Sequence, residues 1–407
     1  MFEFIPENIK AVLGELEKAG FEAYLVGGCV RDEALGTSPH DYDITTNAKP
    51  DEMLRVFSEY RVIETGLKHG TLTVISGGEP VEITTYRIDG EYRDNRRPES
   101  VSFTEDITLD LSRRDFTVNA MAYSLRCGLC DPFGGMLDLA RKRIVCVGSP
   151  EQRFLEDGLR ILRALRFSSV LDFETDASTA KAVHSLAYLL SGISRERIFA
   201  EIKKLLCGKG AGWICRTFPE VIALCLNGVS AETVCTISEK LPSLPCDCIA
   251  RLSYIAAETA KAEGVTPDDA AAKIMRSLKS SREEERRVRR IAVHSFLPLP
   301  DNDKKMRRLM AVMPEEDILL YAAICASKDE YGEFIKLYES VKSENPCLNI
   351  SSLMINGGDV IRLTGASGQA VGLILKDLLE CVLDGELENS REMLEKAAAE
   401  ISLQKNK

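Results

Sequence analysis

Asp41 and Asp43 stand two residues apart in the run His40-Asp41-Tyr42-Asp43-Ile44-Thr45. If that run is a strand, its period of two sets both carboxylates on one face. Neighbouring carboxylates repel each other and are hard to bury without a cation. Magnesium suits such a pair, because it takes one or two carboxylates and fills its shell with phosphate oxygens and water. A third acid, Glu82, sits in the β-branched run Val81-Glu82-Ile83-Thr84-Thr85, where Val81, Ile83 and Thr85 point one way and Glu82 and Thr84 the other. A charge in mid-strand is costly without a partner, and a metal shared with Asp41 and Asp43 supplies one.

Upstream, an apolar segment runs through Gly27-Gly28 into a helical pattern beginning near Val30-Arg31-Asp32. Glycines let the backbone approach a phosphate, and a helix N-terminus offers free N–H groups. A D-x-D alone also reads as a surface turn; beside a phosphate cradle and Glu82 it reads as a metal site. The chemistry expected is two-metal phosphoryl transfer. One ion aligns and activates a hydroxyl, and the other bridges a nucleoside triphosphate and the departing pyrophosphate. With no G-x-x-x-x-G-K-[ST] loop and no kinase signature in the chain, nucleotidyl transfer stands ahead of kinase or NTPase chemistry.

The elements that must position these residues fall into two regimes. Up to about residue 150, strand-like segments at 23–26, 41–45, 71–75, 81–86 and 143–147 alternate with helical patterns at 7–19 and 51–59 and with glycine turns. That alternation predicts an α/β or α+β domain. From about Glu151 onward nearly every segment has helical spacing, with breaks expected at Gly208-Lys209-Gly210, at Pro298–Asn302 and at 343–352.

The 407 residues allow several domains, and no stretch approaches the length of a membrane span. The N-terminal residues lack the basic and apolar regions of a secretory signal, so a cytoplasmic protein is expected. Thirteen scattered cysteines fit that compartment as small buried hydrophobes. Cys127-Gly128-Leu129-Cys130, lacking a second knuckle, is expected to be a hairpin rather than a zinc site. The net charge of −11 conceals two basic regions: residues 141–210 hold 13 Lys/Arg against 8 Asp/Glu, and residues 273–308 hold 12 against 5. Each alone reads as a solvated helix face; together they suit a polyanionic partner.

Three further runs carry a family resemblance: Arg113-Arg114-Asp115-Phe116-Thr117-Val118-Asn119, Asp131-Pro132-Phe133-Gly134-Gly135, and Glu156-Asp157-Gly158-Leu159-Arg160-Ile161-Leu162-Arg163. With Gly27-Gly28, Arg31-Asp32 and Asp41-Tyr42-Asp43, they resemble the class II tRNA nucleotidyltransferases, which include CCA-adding enzymes and bacterial poly(A) polymerases. The resemblance implies an α/β, mixed-sheet nucleotidyltransferase head followed by all-α neck, body and tail. We place these at residues 1–148, 149–208, 209–342 and 343–407, the last three meeting RNA. It implies two magnesium ions on Asp41, Asp43 and Glu82, with ATP and CTP as substrates and the tRNA 3′ end, at its acceptor and T stems, as acceptor. Nucleotide contacts are expected from Gly27, Gly28, Arg31, Asp32, Arg114, Asp115, Asn119, Glu156, Asp157, Arg160 and Arg163.

In this family Glu156, Asp157 and Arg160 match the motif that reads the incoming base. On one helix, Asp157 and Arg160 would share a face. A carboxylate only accepts hydrogen bonds and a guanidinium only donates, which suits cytosine and adenine and opposes uracil and guanine. Asp115 is expected to accept ribose hydroxyls, or to cap a helix start. Residues 89–98 resemble the flexible loop of enzymes that add all of CCA. Ser194, Arg195, Glu196, Arg197 and Glu201 match a motif expected to brace the neck helices. Asn356-Gly357-Gly358-Asp359 resembles a tail signature. With four histidines and none in the last hundred residues, a C-terminal His-Asp phosphohydrolase domain is not expected. The leading expectation is therefore a magnesium-dependent CCA-adding tRNA nucleotidyltransferase. An A-adding enzyme or poly(A) polymerase is the near alternative. A small-molecule nucleotidyltransferase and a non-catalytic RNA-binding relative are the distant ones.

Overall fold

Helix α1 (Glu7–Lys18) presents Ile9, Val12, Leu13 and Leu16 on one face, and all four are buried. The computed structural model describes residues 5–90 and 100–405. After α1 come β1 (Ala23–Val26), α2 (Gly28–Ala34), β2 (Asp43–Thr46), α3 (Pro50–Val56), β3 (Arg61–Ile63), β4 (Thr71–Ser76) and β5 (Glu79–Thr85). These are followed by β6 (Arg87–Asp89), β7 (Val101–Phe103), α4 (Ile107–Ser112), β8 (Ala122–Ser124), β9 (Gly128–Cys130), α5 (Gly135–Ala140) and β10 (Arg143–Ile144). Among the described residues one seven-stranded sheet has the order β3-β4-β5-β2-β1-β8-β9. It is mixed, as expected: β2 and β5 run parallel, and the other neighbours are antiparallel. The alternation expected of β5 holds, since Val81, Ile83 and Thr85 are buried while Glu82 is exposed.

Several boundaries differ from expectation. β2 starts at Asp43, so Asp41 is not a strand residue and the period-two argument does not join it to Asp43. The cause lies in the neighbouring strand: Asp43 pairs with Val26, the last residue of β1, and the chain turns away at Gly27. Helix α3 ends at Val56, short of residue 59. The strand expected at 143–147 is only Arg143–Ile144, followed by an isolated bridge between Cys146 and Phe116. The Cys127–Cys130 segment is the hairpin expected, with Cys130 on β9 opposite Ala122 on β8, and no disulfide joins any of the thirteen cysteines. β6 and β7 pair at the base of the 89–98 loop, with Asp89 opposite Val101; residues 91–98 themselves lie outside the described residues.

The helices that follow are α6 (Pro150–Glu156) and α7 (Leu159–Leu171), then after a short strand β11 (Glu174–Thr175), α8 (Ala177–Leu186), α9 (Arg195–Cys207), α10 (Ala211–Thr217), α11 (Pro219–Cys225) and α12 (Ala231–Ser238). Ser149 caps α6 and Pro150 occupies its first turn. α7 packs on α9, and Ile161, Leu162 and Leu165 of the one and Ile198, Ile202 and Leu205 of the other are all buried. α9 stops at the expected glycines, which are tightly packed rather than linker-like: a Cβ on Gly208 would lie 2.5 Å from the Ser169 backbone.

The chain divides into two compact units, residues 1–242 with 277–279, and residues 243–276 with 280–407. The division at 148, 208 and 342 does not coincide with this one, whose break at 242 falls within residues 209–342, and we keep it as a proposal. The second unit holds α13 (Cys248–Glu263), α14 (Pro267–Ser277), α15 (Arg282–His294), α16 (Asp303–Val312), α17 (Glu315–Cys325), α18 (Lys328–Ser343), α19 (Gly357–Thr364), α20 (Gln369–Leu383) and α21 (Arg391–Lys405). The last three enclose their own core around Val360, Ile374, Leu378 and Leu394. Part of the basic charge at 273–308 is engaged internally: Arg287 and Arg290 both grip the buried Asp317, at 2.7 and 2.6 Å.

Candidate active site

Within the first unit a cavity of about 510 Å³ is lined by the β1–α2 turn, the start of β2, Asp89 at the end of β6, the segment after α4, Asp157 ahead of α7, and helices α7 and α9. It gathers Gly27, Gly28, Arg31, Asp43, Arg114, Asp115, Asn119, Asp157, Arg160 and Arg163. Asp32, Asp41, Glu82 and Glu156 do not line it. Gly27 explains part of the shape. Its φ of 81° is unfavourable for a side-chain-bearing residue, and an added Cβ would lie 2.9 Å from Arg114 Nη1. Gly28 tolerates a Cβ at ordinary contact distance from Arg31.

Among the described residues seven arginines and four aspartates face this space, an excess of positive charge that suits a triphosphate. They are held as a network. Arg31 donates to Asp32 Oδ1 at 2.8 and 2.7 Å and to Asn119 Oδ1 at 2.6 Å. Asn119 donates in turn to Asp115 Oδ1 at 3.2 Å, which also accepts from the Phe116 N–H at 2.9 Å. Arg163 closes on Asp115 Oδ2 with Nε at 2.7 Å and Nη2 at 2.5 Å. Burial pushes the Asp115 carboxyl up, but the Arg163 charge and the bonds from Arg163 and Asn119 outweigh it and hold the group below its usual range. A carboxylate has about four lone-pair sites, and these four donors fill them. Asp115 thus orders Arg163 and Asn119, and it would reach a ribose hydroxyl only by exchanging a partner. It is not a helix cap, since the 3₁₀ turn Thr117–Asn119 starts from Phe116. Phe167 provides a floor, with the Arg31, Arg163 and Arg166 guanidinium carbons 5.2, 5.4 and 3.8 Å from its ring centre.

The acids meet across the sheet. Asp43 on β2 and Glu82 on β5 are direct register partners. Burial raises the Asp43 carboxyl and the Asp41 charge adds to this, while Arg114 opposes it. Glu82, exposed but partly desolvated by its neighbours, is raised by that desolvation and then by Asp43, against Arg87. Among the described residues no three acidic, histidine or cysteine side chains converge closely enough to hold a metal ion. The expected triad is a register pair, Asp43 and Glu82, with Asp41 exposed just ahead of the strand. As a donor set the three still fit a hard divalent cation: they are oxygen ligands, and at Asp43 and Glu82 a nearby cation would favour the ionised form that desolvation and mutual repulsion oppose.

At the opposite wall the expected single helix is broken. α6 ends at Glu156, Asp157 is extended, and α7 begins after Gly158. The break is specified locally: Asp157 Oδ1 accepts from the Leu159 N–H at 3.0 Å, as a helix cap does. A Cβ on Gly158 would lie 3.1 Å from Leu189 Cβ. Asp157 and Arg160 are therefore brought together by a cap and the first turn of α7, not by the face of a continuous helix. Asp157 Oδ2 takes a 2.9 Å bond from Arg197 Nη2. Arg160 is gripped by Glu156 and donates to the carbonyls of Arg153 and Arg113 at 3.1 and 3.2 Å. Glu156 orders Arg160 from outside the cavity, facing an adjoining hollow of about 770 Å³.

Arg113, Arg166, Arg197 and Phe167 line the cavity without having been singled out as nucleotide contacts. Arg160, Arg163 and Arg166, three residues apart on α7, form a stripe whose common direction is legible in the sequence. Arg197 and Glu201 are expected to brace the neck. Glu201 holds Arg166 at 2.5 Å, and Arg197 both braces Asp157 and faces the cavity.

Residues 23–145 match a family model described as the poly A polymerase head domain, and residues 262–398 match one for domain 2 of tRNA nucleotidyltransferase. A CCA-adding enzyme of Lactobacillus delbrueckii subsp. bulgaricus is 36% identical over 390 residues, covering 93% of this chain and 94% of the relative. One from Leuconostoc mesenteroides is 34% identical over 406 residues, covering 98% and 96%. The crystal structure of the Bacillus stearothermophilus CCA-adding enzyme in complex with CTP superposes with a TM-score of 0.86, at 28% identity and 99% coverage of both chains. Spanning nearly the whole of its relatives and sharing their fold, the chain belongs to the CCA-adding enzymes of the class II tRNA nucleotidyltransferase family.

Proposed function

We propose that this chain completes the 3′ end of tRNA, adding C, C and A from CTP and ATP without a nucleic-acid template and releasing pyrophosphate. The observation that carries this reading is the composition of one cavity, where Asp43, a set of arginines suited to a triphosphate, and the Asp157/Arg160 pair suited to a base face the same space. Arg114, with Arg31 and Arg163, would neutralise the triphosphate as charge moves onto the leaving pyrophosphate. Asp41, Asp43 and Glu82 would hold two magnesium ions, which when bound supply activation of the 3′-hydroxyl and stabilisation of the leaving group. Asp115 would keep Arg163 and Asn119 in place beneath the sugar.

Base choice would come from donor and acceptor matching. Each Asp157 oxygen has one described partner and keeps acceptor capacity for an exocyclic amine, while Arg160 donates to ring acceptors. Cytosine and adenine both present that pattern, and uracil and guanine invert it. The acceptor stem would be read by shape, because the A-form major groove is too narrow for side chains. No helix among the described residues is long and apolar enough to cross a membrane, and a cytoplasmic site of action is part of the same proposal. Incubation with ATP alone tests the reading against its relatives. A tRNA ending in CC should gain a single A, and generic RNA should gain nothing. Long A tracts on generic RNA would make the chain a poly(A) polymerase.

A further inference from the structure

Asp110 lies on the inner face of α4 with 0% of its side chain exposed, and it does not line the cavity. A carboxylate buried this fully is expensive unless it is paired and hydrogen-bonded. Its Oδ1 accepts from Arg113 Nε at 3.0 Å, from Arg113 Nη2 at 2.9 Å and from the Arg87 backbone N–H at 3.2 Å. Its Oδ2 lies 3.6 Å from Arg114 Nη2 and 3.5 Å from Thr45 Oγ1. Arg113 and Arg114 are consecutive, both face the cavity, and as like charges they repel. Asp110 is a counter-charge that touches both. Thr45 stands two residues beyond Asp43 on β2, and its hydroxyl also reaches the Thr84 carbonyl of β5 at 3.1 Å. One buried carboxylate thereby grips Arg113, pairs at 3.6 Å with Arg114, and rests against Thr45 of the strand pair that carries Asp43 and Glu82.

We propose that Asp110 is a positioning residue for triphosphate recognition, fixing Arg113 and Arg114 relative to the carboxylates of β2 and β5. The proposal rests on the nucleotide occupying the cavity described above. Asp110 touches no substrate; it acts through the two guanidinium groups. Its loss should weaken binding of the phosphates and leave binding of the nucleoside alone.

The test compares Asp110→Asn with the wild type in the full-length protein, using CTP as substrate and cytidine as competitive inhibitor. Asp110→Asn should raise KM for CTP and ATP by about tenfold or more, the scale of one charge-assisted hydrogen bond. Inhibition by cytidine and KM for tRNA should stay within about twofold, a split that general destabilisation would not produce. Equal loss for cytidine and CTP, or an unchanged KM for CTP, would overturn the proposal. If Asp110→Asn does not fold, Asp110→Glu keeps the charge and displaces it. That variant should fold with a raised KM for CTP, and an unchanged KM would again overturn the assignment. Arg114→Ala, run in parallel, separates the two readings. If Arg114→Ala raises KM and neither Asp110 variant does, only the Asp110 assignment fails. If none of them does, the nucleotide site itself is misplaced.

Discussion

Asp43 and Glu82 face each other as register partners across the parallel pair β2 and β5, one carboxylate per strand. β1 and β4 flank the pair and hold it in place, so the two acids owe their proximity to the sheet and not to a loop. Parallel neighbours bring residues distant in sequence to one level of the sheet, which is how Glu82 comes to stand beside Asp43. Asp41 sits beyond the end of the ladder and is freer to adjust.

Asp43→Ala should lower nucleotide transfer by at least about a thousandfold, since it removes a carboxylate proposed to bind metal. Affinity for tRNA should stay nearly unchanged, because phosphate contacts elsewhere dominate binding. Primer extension and a gel-shift titration on the same preparation check both halves. Activity within tenfold of wild type would remove Asp43 from the mechanism.

Gly27→Ala places a Cβ where φ is 81° and Arg114 Nη1 is 2.9 Å away. The backbone strain should cost about 1–2 kcal/mol of stability, and displacement of Arg114 should raise KM for both nucleotides. Gly28→Ala, whose Cβ meets only ordinary contacts, should be much milder. Thermal melts and steady-state kinetics on the two variants make the comparison, and equal effects would argue against it.

Asp157→Asn keeps an oxygen for the Leu159 N–H but offers an amide where the base amine is expected to donate. Discrimination between CTP and UTP should fall by about tenfold to a hundredfold, the range for one mismatched hydrogen-bond pair. Single-nucleotide incorporation assays give the ratio of kcat/KM values. Undiminished rejection of UTP would place base reading elsewhere.

The Asp115–Arg163 pair predicts an acid-sensitive contribution to stability. The Asp115 carboxyl is held below its usual value in the folded chain, so the unfolded chain binds a proton more readily. The contribution is complete above a pH of about 4 and is lost as pH falls through the lowered folded value. Asp115→Asn should cost about 2 kcal/mol at neutral pH, less than a fully buried pair because Arg163 keeps 35% of its side chain exposed. Its stability should also change less with pH in that acid window. Denaturant unfolding between pH 3 and 7 measures both, and parallel curves for the two proteins would contradict the assignment.

Much of the head was legible from local pattern. β1 begins and ends at the residues expected, and the alternation of β5 set Glu82 on the face opposite Val81, Ile83 and Thr85, which the structure shows to be the exposed one. What was not legible depends on neighbours in space. Nothing near Asp41 signals that β1 stops pairing at Val26 and leaves it outside the strand. The helical spacing of Asp157 and Arg160 gave no warning of the break between them, because Asp157 is both an ordinary helix residue by pattern and a capping residue by chemistry. Asp110 carries no mark in the sequence, and its surroundings emerge only when Arg113, Arg114, Thr45 and Arg87 are found around it.

On the proposed function one cavity selects both C and A, and extension stops after three additions. Sequencing the products made from a tRNA lacking one, two or three terminal nucleotides, with magnesium, CTP and ATP all present, tests it most directly. Every substrate should finish as CCA with nothing beyond it. Products that stop at CC, begin with A, or extend into homopolymer would contradict it.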